Sequence, residues 1–490
     1  MQKSIRPRPN RLALGVSLAI AAGLGAASAD AATLIAIGSL SGASDLSGLS
    51  GNLEDGLAAN VLGGMGSGLA YAGGNTFFAL PDRGPNKVVW DATKDNTTSY
   101  ISRFETLTMT LTAAPSGVPN GGTLPYTLTP TLSATTLLYS ATALNYGTAP
   151  VPTGNTASKY YFTGRSDAFG AGSSLASTDA RLDPEGIRVS KDGASVFISD
   201  EYGPYVYQFN RATGERIRTF TLPSYYGIAV KSSTGATEIS SNSTSGRVTN
   251  KGMEGLAISP DGNTLIGFMQ SPLAQDGGDN SSGNNGRYNR LIKIDIATGA
   301  THEYVYDNQL SGTNFNSSEL IAINADEFLV LERDGKGLGA GNNAAIKKVY
   351  KISLAGATEL PSNVSGAANL AAYAVSKTEF LDLRTALTAL GFTDAQIPSK
   401  LEGLAFGQDV IVNGVSKHTL YVSNDNDFAP TDCVLGYCNT NLFYVYAFDA
   451  TDLPSYQAQE FAAPVPLPAA GWLLLTGLGA VGVIRRRRPA

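Results

Sequence analysis

Histidine and cysteine are almost missing from these 490 residues, with two of each. His302 follows an Ala-Thr-Gly turn and His418 precedes the apolar run 419–423, so both read as surface residues. No local signature sets either beside a nucleophilic serine, which leaves a Ser-His-Asp triad without support. The sequence also lacks a Gly-x-Ser-x-Gly elbow and a Walker A loop, arguing against an α/β-hydrolase esterase and a nucleotide-binding enzyme. Cys433 and Cys438, in Cys-Val-Leu-Gly-Tyr-Cys, have no neighbouring histidines to complete a zinc site. They read as a small disulfide-closed loop, given the export signals described next.

Charged residues are scarce as well, at 16%. With 55 glycines and frequent Thr, Ser, Val and Tyr, that composition favours a turn-rich β protein. The formal charge of −6 hides an asymmetry. Eight of the 35 basic residues sit in the two terminal segments, which hold no acids. The body therefore carries 27 basic against 41 acidic residues, a charge of −14. An acidic body argues against nucleic acid and suits cation binding, although a solvated surface would look the same.

Residues 1–29 have the layout of a secretory signal peptide. A basic stretch ends at Arg11, an apolar run covers Leu12 to Ala27, and Ala27-Ser28-Ala29 supplies a small-residue cleavage site. At the other end, residues 464–490 combine Val465-Pro466-Leu467-Pro468-Ala469, an apolar segment to Ile484, and Arg485 to Arg488. The segment is near the short limit for a membrane span, and the arginines would stay cytoplasmic. This ordered end resembles a PEP-CTERM sorting tail. The resemblance implies a Gram-negative source, processing by signal peptidase and an exosortase, and a transient membrane anchor. It also implies a final location in the periplasm, outer envelope or extracellular matrix. The alternative is a plain C-terminal anchor.

Between these ends one pattern recurs: a short Glu-Gly-Leu-Ala-like strand, then a second strand ending in charged residues. Copies start at Gly68-Leu69, Glu185-Gly186, Glu254-Gly255, Glu319-Leu320 and Glu402-Gly403. Second strands end at Asp82-Arg83, Asp200-Glu201, Gln270-Ser271, Glu332-Arg333 and Asn424-Asp425. Turns such as Lys191-Asp192-Gly193 and Pro260-Asp261-Gly262 separate the two strands. The repeat predicts an all-β fold, a β-propeller over 30–463. The 116 residues from Leu69 to Glu185 could hide another blade around 104–111 and 160–164, giving six blades, with seven also compatible. Ser376 to Leu390 reads as a short helical insertion and Gln275 to Arg290 as a surface loop.

In a propeller the start of each inner strand and the end of the next meet at one mouth of the channel. That geometry predicts a ring of metal-ligating Glu185, Glu254, Glu319 and Glu402, with Asp425 beside it. Asp82, Arg83, Glu201, Glu332 and Arg333 are the catalytic candidates just outside. Oxygen-only donors suit Ca²⁺ or Mg²⁺. The arginines could hold a small anionic ester or phosphoester, and Glu201 or Glu332 could activate water. The competing reading makes each glutamate an acceptor of backbone N–H bonds between blades, and each arginine a salt-bridge partner.

The phrases Asp183-Pro184-Glu185-Gly186-Ile187, Met253-Glu254-Gly255-Leu256-Ala257 and Leu401-Glu402-Gly403-Leu404-Ala405 resemble the phytase-like domain family, known for esterase-like activity of phytase. Ser199-Asp200-Glu201-Tyr202-Gly203, Leu331-Glu332-Arg333-Asp334 and Ser423-Asn424-Asp425-Asn426-Asp427 fit it too. The resemblance spans about residues 60–450 and implies a propeller hydrolase of phosphate or carboxylate esters. The motifs of the calcium-rich propeller phytases are absent. The alternatives are a binding propeller of the exported matrix, without turnover, and a lactonase.

Overall fold

The computed structural model describes residues 31–461, except 86–96, 167–171, 233–234, 279–285, 311–312 and 315. The leader and tail therefore lie outside the described residues. Among the described residues no helix is long and apolar enough to cross a membrane.

The chain forms a β-propeller whose blades are antiparallel sheets arranged around an axis. Blade 1 runs Gly68–Tyr71, Thr76–Leu80, Arg103–Thr112 and Thr127–Leu137 from axis to rim. Blade 2 is Pro184–Val189, Ser195–Asp200, Val206–Asn210 and Arg216–Phe220. Blade 3 is Met253–Ile258, Thr264–Met269, Tyr288–Asp295 and Thr301–Asp307, extended by Ala374–Val375. Blade 4 is Asn316–Ala322, Glu327–Arg333, Lys347–Ser353 and Lys377–Asp382. Blade 5 is Leu401–Phe406, Val415–Asn424 and Asn441–Phe448, completed on its outside by Ala32–Leu40 from the start of the chain. The five inner strands contact one another in a closed circle, blade 5 returning to blade 1.

The blade count is five, not six or seven. Phe104 to Leu111 is the third strand of blade 1, and Tyr160–Tyr161 only pairs with Tyr139–Ser140 in a two-stranded ribbon. The long interval holds loops and short ribbons instead of another sheet. The helix expected over 376–390 is also half right. Lys377–Asp382 is the outer strand of blade 4, and Asp382 then caps Leu383–Ala389 by accepting from Thr385 N–H. Leu383 and Leu387 are buried, as the apolar spacing requires. The ends of the 275–290 loop are not at the surface: Asp276 and Arg290 are buried and ion-paired.

Glycine in the repeated Glu-Gly pair has a packing cause. A Cβ on Gly186 would lie 2.7 Å from Leu256 Cβ, and one on Gly403 would lie 2.3 Å from Ser423 Oγ. Inner strands converge on the axis, and at these points only a hydrogen fits. Gly186→Ala is expected to cost about 1–3 kcal/mol of stability, measured by denaturant unfolding. A variant as stable as the parent would show that the strands can separate there.

A strap spans the far end of the channel and leaves a second cavity beneath it. Residues 453–461 cross the far side, where Gln457 N–H donates to Ile323 O (2.8 Å) and Glu460 N–H to Pro260 O (2.8 Å). Gln459 Nε2 donates to Val189 O at 2.7 Å, and Phe461 packs edge-on against Tyr71. The mouth at the inner-strand starts is not crossed in this way by the strap.

Candidate functional site

Inner strands enter the mouth through β-bulges, which aim the glutamates. In blade 2 pairing jumps from Pro184↔Asp200 to Ile187↔Ile198, leaving Glu185-Gly186 opposite Ser199. Blade 3 leaves Glu254 unpaired between Met253 and Gly255, and blade 5 leaves Glu402-Gly403 opposite Ser423. A bulge adds a residue to one strand and turns its side chain out of the ladder. Here that direction is the axis.

Blade 4 breaks the pattern by one residue. Its bulge falls on Ser318, while Glu319 pairs in register with Leu331. Glu319 therefore occupies the position of Gly255, and Ser318 takes the glutamate's place. Leu320, not Glu319, is the residue that aligns with its neighbours. Glu319 sits below the mouth, where Oε1 accepts from Leu256 N–H and Leu320 N–H (3.0 Å each) and Oε2 pairs with Arg188 at 2.9 Å. Arg188 also donates to Leu69 O (2.8 Å) and Leu320 O (2.9 Å). The pair crosses the channel as a floor joining blades 1 to 4.

The second strands supply an outer ring by the same period-two logic. Asp82, Glu201, Gln270, Arg333 and Asp425 occupy one equivalent position per blade and all line the mouth. The residue before each faces away from the axis, which removes Glu332 from the site. Its carboxylate is buried between blades with Lys377 and the Tyr306 hydroxyl. Gln270, Asn250, Lys251 and Lys400 join the lining without having been singled out from the sequence. Aligning Met269 with Asp200 and Asn424, which precede Glu201 and Asp425, would have found Gln270.

The mouth is a cavity of about 190 Å³ lined by six carboxylates and four bases. Arg83 Nη1 pairs with Asp183 (2.8 Å) and also donates to Asn250. Arg333 Nη2 pairs with Glu402 and lies 4.0 Å from Glu254. Lys400 Nζ is shared by Asp425 and Asp427 at 2.7 Å each. Three carboxylate clusters have ligand oxygens within 4.8 Å of one another: Glu185-Glu254-Glu402, Asp183-Glu185-Glu201 and Asp82-Asp425-Asp427. Buried Glu201 Oε1 accepts from no donor among the described residues.

Burial, reinforced by the neighbouring acids, pushes Glu185 and Glu254 well above the carboxylate range. Burial likewise lifts Asp82 to about 7, against the pull of Arg83 and Lys400. Glu201 rises to about 7 through burial and Asp183, while it shares a hydrogen bond with Glu254. Burial drives Asp425 well up despite Lys400. These raised groups make the folded protein hold protons that the unfolded chain releases above about pH 4 to 5. Their contribution is thus fully present at low pH and is lost as pH rises through about 7. Thermal melts of chelated protein are expected to show Tm falling between pH 5 and 8, each such group adding a slope of up to about 1.4 kcal/mol per pH unit. A flat profile would mean that the acids ionise freely.

The two histidines stand apart, His302 against Glu359 (2.9 Å) and His418 against Asp409 (2.8 Å). Cys433 and Cys438 are joined as a disulfide at the mouth side of blade 5.

Several known proteins are similar. A secreted protein of the fungus Arthroderma benhamiae, itself described as uncharacterized, is 31% identical over 329 residues, 56% of this chain. The chain spans only 60% of that relative's length. The periplasmic gluconolactonase of Pseudomonas aeruginosa is 12% identical, covering 84% of this chain and 96% of its own, with a TM-score of 0.29. Hydrazine synthase of Kuenenia stuttgartiensis is 11% identical over 74% of this chain and 78% of its own, with a TM-score of 0.28. At such scores these structures carry no argument about chemistry. The family described as Phytase-like, esterase-like activity of phytase, matches residues 60–428, every inner strand and the whole mouth included, and the chain belongs to it.

Proposed function

We propose that the mouth is a divalent-cation site serving hydrolysis of a small anionic phosphate or carboxylate ester. The observation that carries this reading is the convergence of Glu185, Glu254 and Glu402, with oxygens within 4.8 Å of one another. The buried Glu201 Oε1 beside them, which accepts from no donor among the described residues, supports it. An all-oxygen donor set fits Ca²⁺ or Mg²⁺. Bound there, such an ion would polarise an ester oxygen and acidify a water. Glu185, Glu254 and Glu402 are the holding residues, with Glu402 also kept in place by Arg333. Arg83 and Arg333 orient the substrate anion. Glu201, held near neutrality, takes and returns the proton.

Hydrolysis of aryl phosphates, aryl esters and lactones, with and without chelator, tests the proposal. Turnover lost on chelation and restored by Ca²⁺ or Mg²⁺ is expected on one of the ester classes. Absence of chelator-sensitive turnover on every class would sink it. A second reading, a binding propeller without turnover, draws on the basic partner that each carboxylate cluster already has. Retention on the organism's own exopolysaccharide, without hydrolysis, would select it. The setting we propose is export, supported by the leader pattern and the secreted relative. The C-terminal segment would be processed by an exosortase at a Gram-negative envelope.

A further inference from the structure

Asp425 lines the mouth one residue past Val415–Asn424, and Asp427 lies beside it in the irregular segment that follows. Two consecutive non-glycine residues there, Asp427 and Phe428, adopt left-handed backbone with φ of 50° and 54°. That conformation costs energy and persists only where surrounding contacts enforce it. Part of the enforcement is visible: Gly64 N–H and Phe428 N–H both donate to Asn426 Oδ1. Tyr100 packs edge-on against Phe428, and Asn439, 3% exposed and one residue past the disulfide, adds a further hold. Its Nδ2 donates to Asn426 O (3.2 Å), and its Oδ1 accepts from Asn424 Nδ2 (3.0 Å). Asn439 N–H in turn donates to Asp432 O (2.8 Å), closing the base of the hairpin in which Cys433 faces Cys438. Gly339 leaves room for this side chain, since a Cβ there would lie 2.8 Å from Asn439 Nδ2.

We propose that Asn439 is a positioning residue, and that with the Cys433–Cys438 bridge it forms a redox-sensitive clamp on the Asp425–Lys400–Asp427 wall of the mouth. The clamp regulates the site described above and so rests on that reading. Cys433 is exposed, so a dithiol reductant can reach the bridge. Exchange breaks the S–S bond, two electrons and two protons pass to Cys433 and Cys438, and the dithiol becomes a disulfide. Without the bridge the hairpin base opens, Asn439 loses its fixed position, and the left-handed segment relaxes. Asp425 and Asp427 then no longer converge on Lys400.

Amide hydrogen exchange reads the clamp without any ligand. Asp425 N–H donates to Lys400 O, and Asp427 N–H to Asp425 Oδ1, so both report on the wall. Reduction of the wild-type protein, and Asn439→Ala with the bridge intact, are each expected to speed exchange over 424–428 by about tenfold. Reoxidation should reverse the first effect, and exchange in the inner strands should stay unchanged. Calorimetric titration with Ca²⁺ should show affinity falling about fivefold or more in both cases. Unchanged exchange over 424–428 after reduction overturns the clamp. If oxidised wild type binds no Ca²⁺ while exchange responds as expected, the cation site fails and the clamp stands.

Discussion

Glu201→Gln is expected to lower kcat/KM by about 10²–10⁴ on whichever ester class the protein turns over, with Ca²⁺ affinity little changed. The substitution keeps the shape of the side chain and removes its capacity to cycle a proton. Glu201 is 1% exposed, its Oε1 accepts from no donor among the described residues, and it shares a hydrogen bond with Glu254. Burial and Asp183 outweigh the pull of Arg83 and Arg247 and hold it at about 7, where a proton can be both taken and given. Glu254→Gln should behave differently, weakening cation binding first, because Glu254 stands in the converging cluster. Steady-state kinetics with metal titration separates the two. Equal losses of Ca²⁺ affinity in both variants would move Glu201 from proton carrier to ligand.

Arg188→Ala is expected to destabilise the protein by about 3–5 kcal/mol. Arg188 is 5% exposed and Glu319 fully buried, so removing the guanidinium strands a carboxylate inside the channel. It also frees the carbonyls of Leu69 and Leu320 that the arginine bridges across the axis. Removing both charges together, as Arg188→Met with Glu319→Leu, should cost much less, since no unpaired charge remains. Denaturant unfolding of the single and double variants decides the matter. Equal losses in both would mean that the pair contributes through packing alone. The same experiment separates floor from site, because the double variant should retain its Ca²⁺ binding.

Much of this architecture is legible in one dimension because each blade repeats the same local problem. A strand that reaches the axis must be narrow where it meets its neighbours, so Gly186, Gly255 and Gly403 recur after glutamate. The hairpin turns between first and second strands in blades 2 and 3 are equally local, fixed by Asp192-Gly193 and Asp261-Gly262. The blade number was not legible, because the insertion between blades 1 and 2 is about as long as a blade. Its Thr- and Tyr-rich segments have strand composition, and only pairing shows which strands join a sheet. The 376–390 segment misled for a related reason: Lys377 to Asp382 gained an outer-strand partner at Lys348 to Ile352, distant in sequence.

The candidate site divides the same way. Sequence spacing brought Glu185, Glu254 and Glu402 to one mouth with Arg83 and Arg333, because blade geometry maps repeat position onto axial height. It could not separate Glu319 from them. In blade 4 the bulge keeps its place and the glutamate follows it by one residue, which sends that side chain to the other side of the strand, and no residue type in Ser317-Ser318-Glu319 marks where that bulge falls. Nor could it separate Glu332 from Arg333, adjacent residues whose side chains point in opposite directions.

The amino-acid sequence by itself thus determined an all-β repeat with an acid near the start of four of its inner strands, since hydrophobic pattern, turn residues and packing glycines are local properties. Only the tertiary structure decided how many blades close the ring, which acids face the cavity, and that Arg188 and Glu319 floor it. Those outcomes depend on register and on pairings between residues a hundred or more positions apart, where a one-residue shift inverts every side chain.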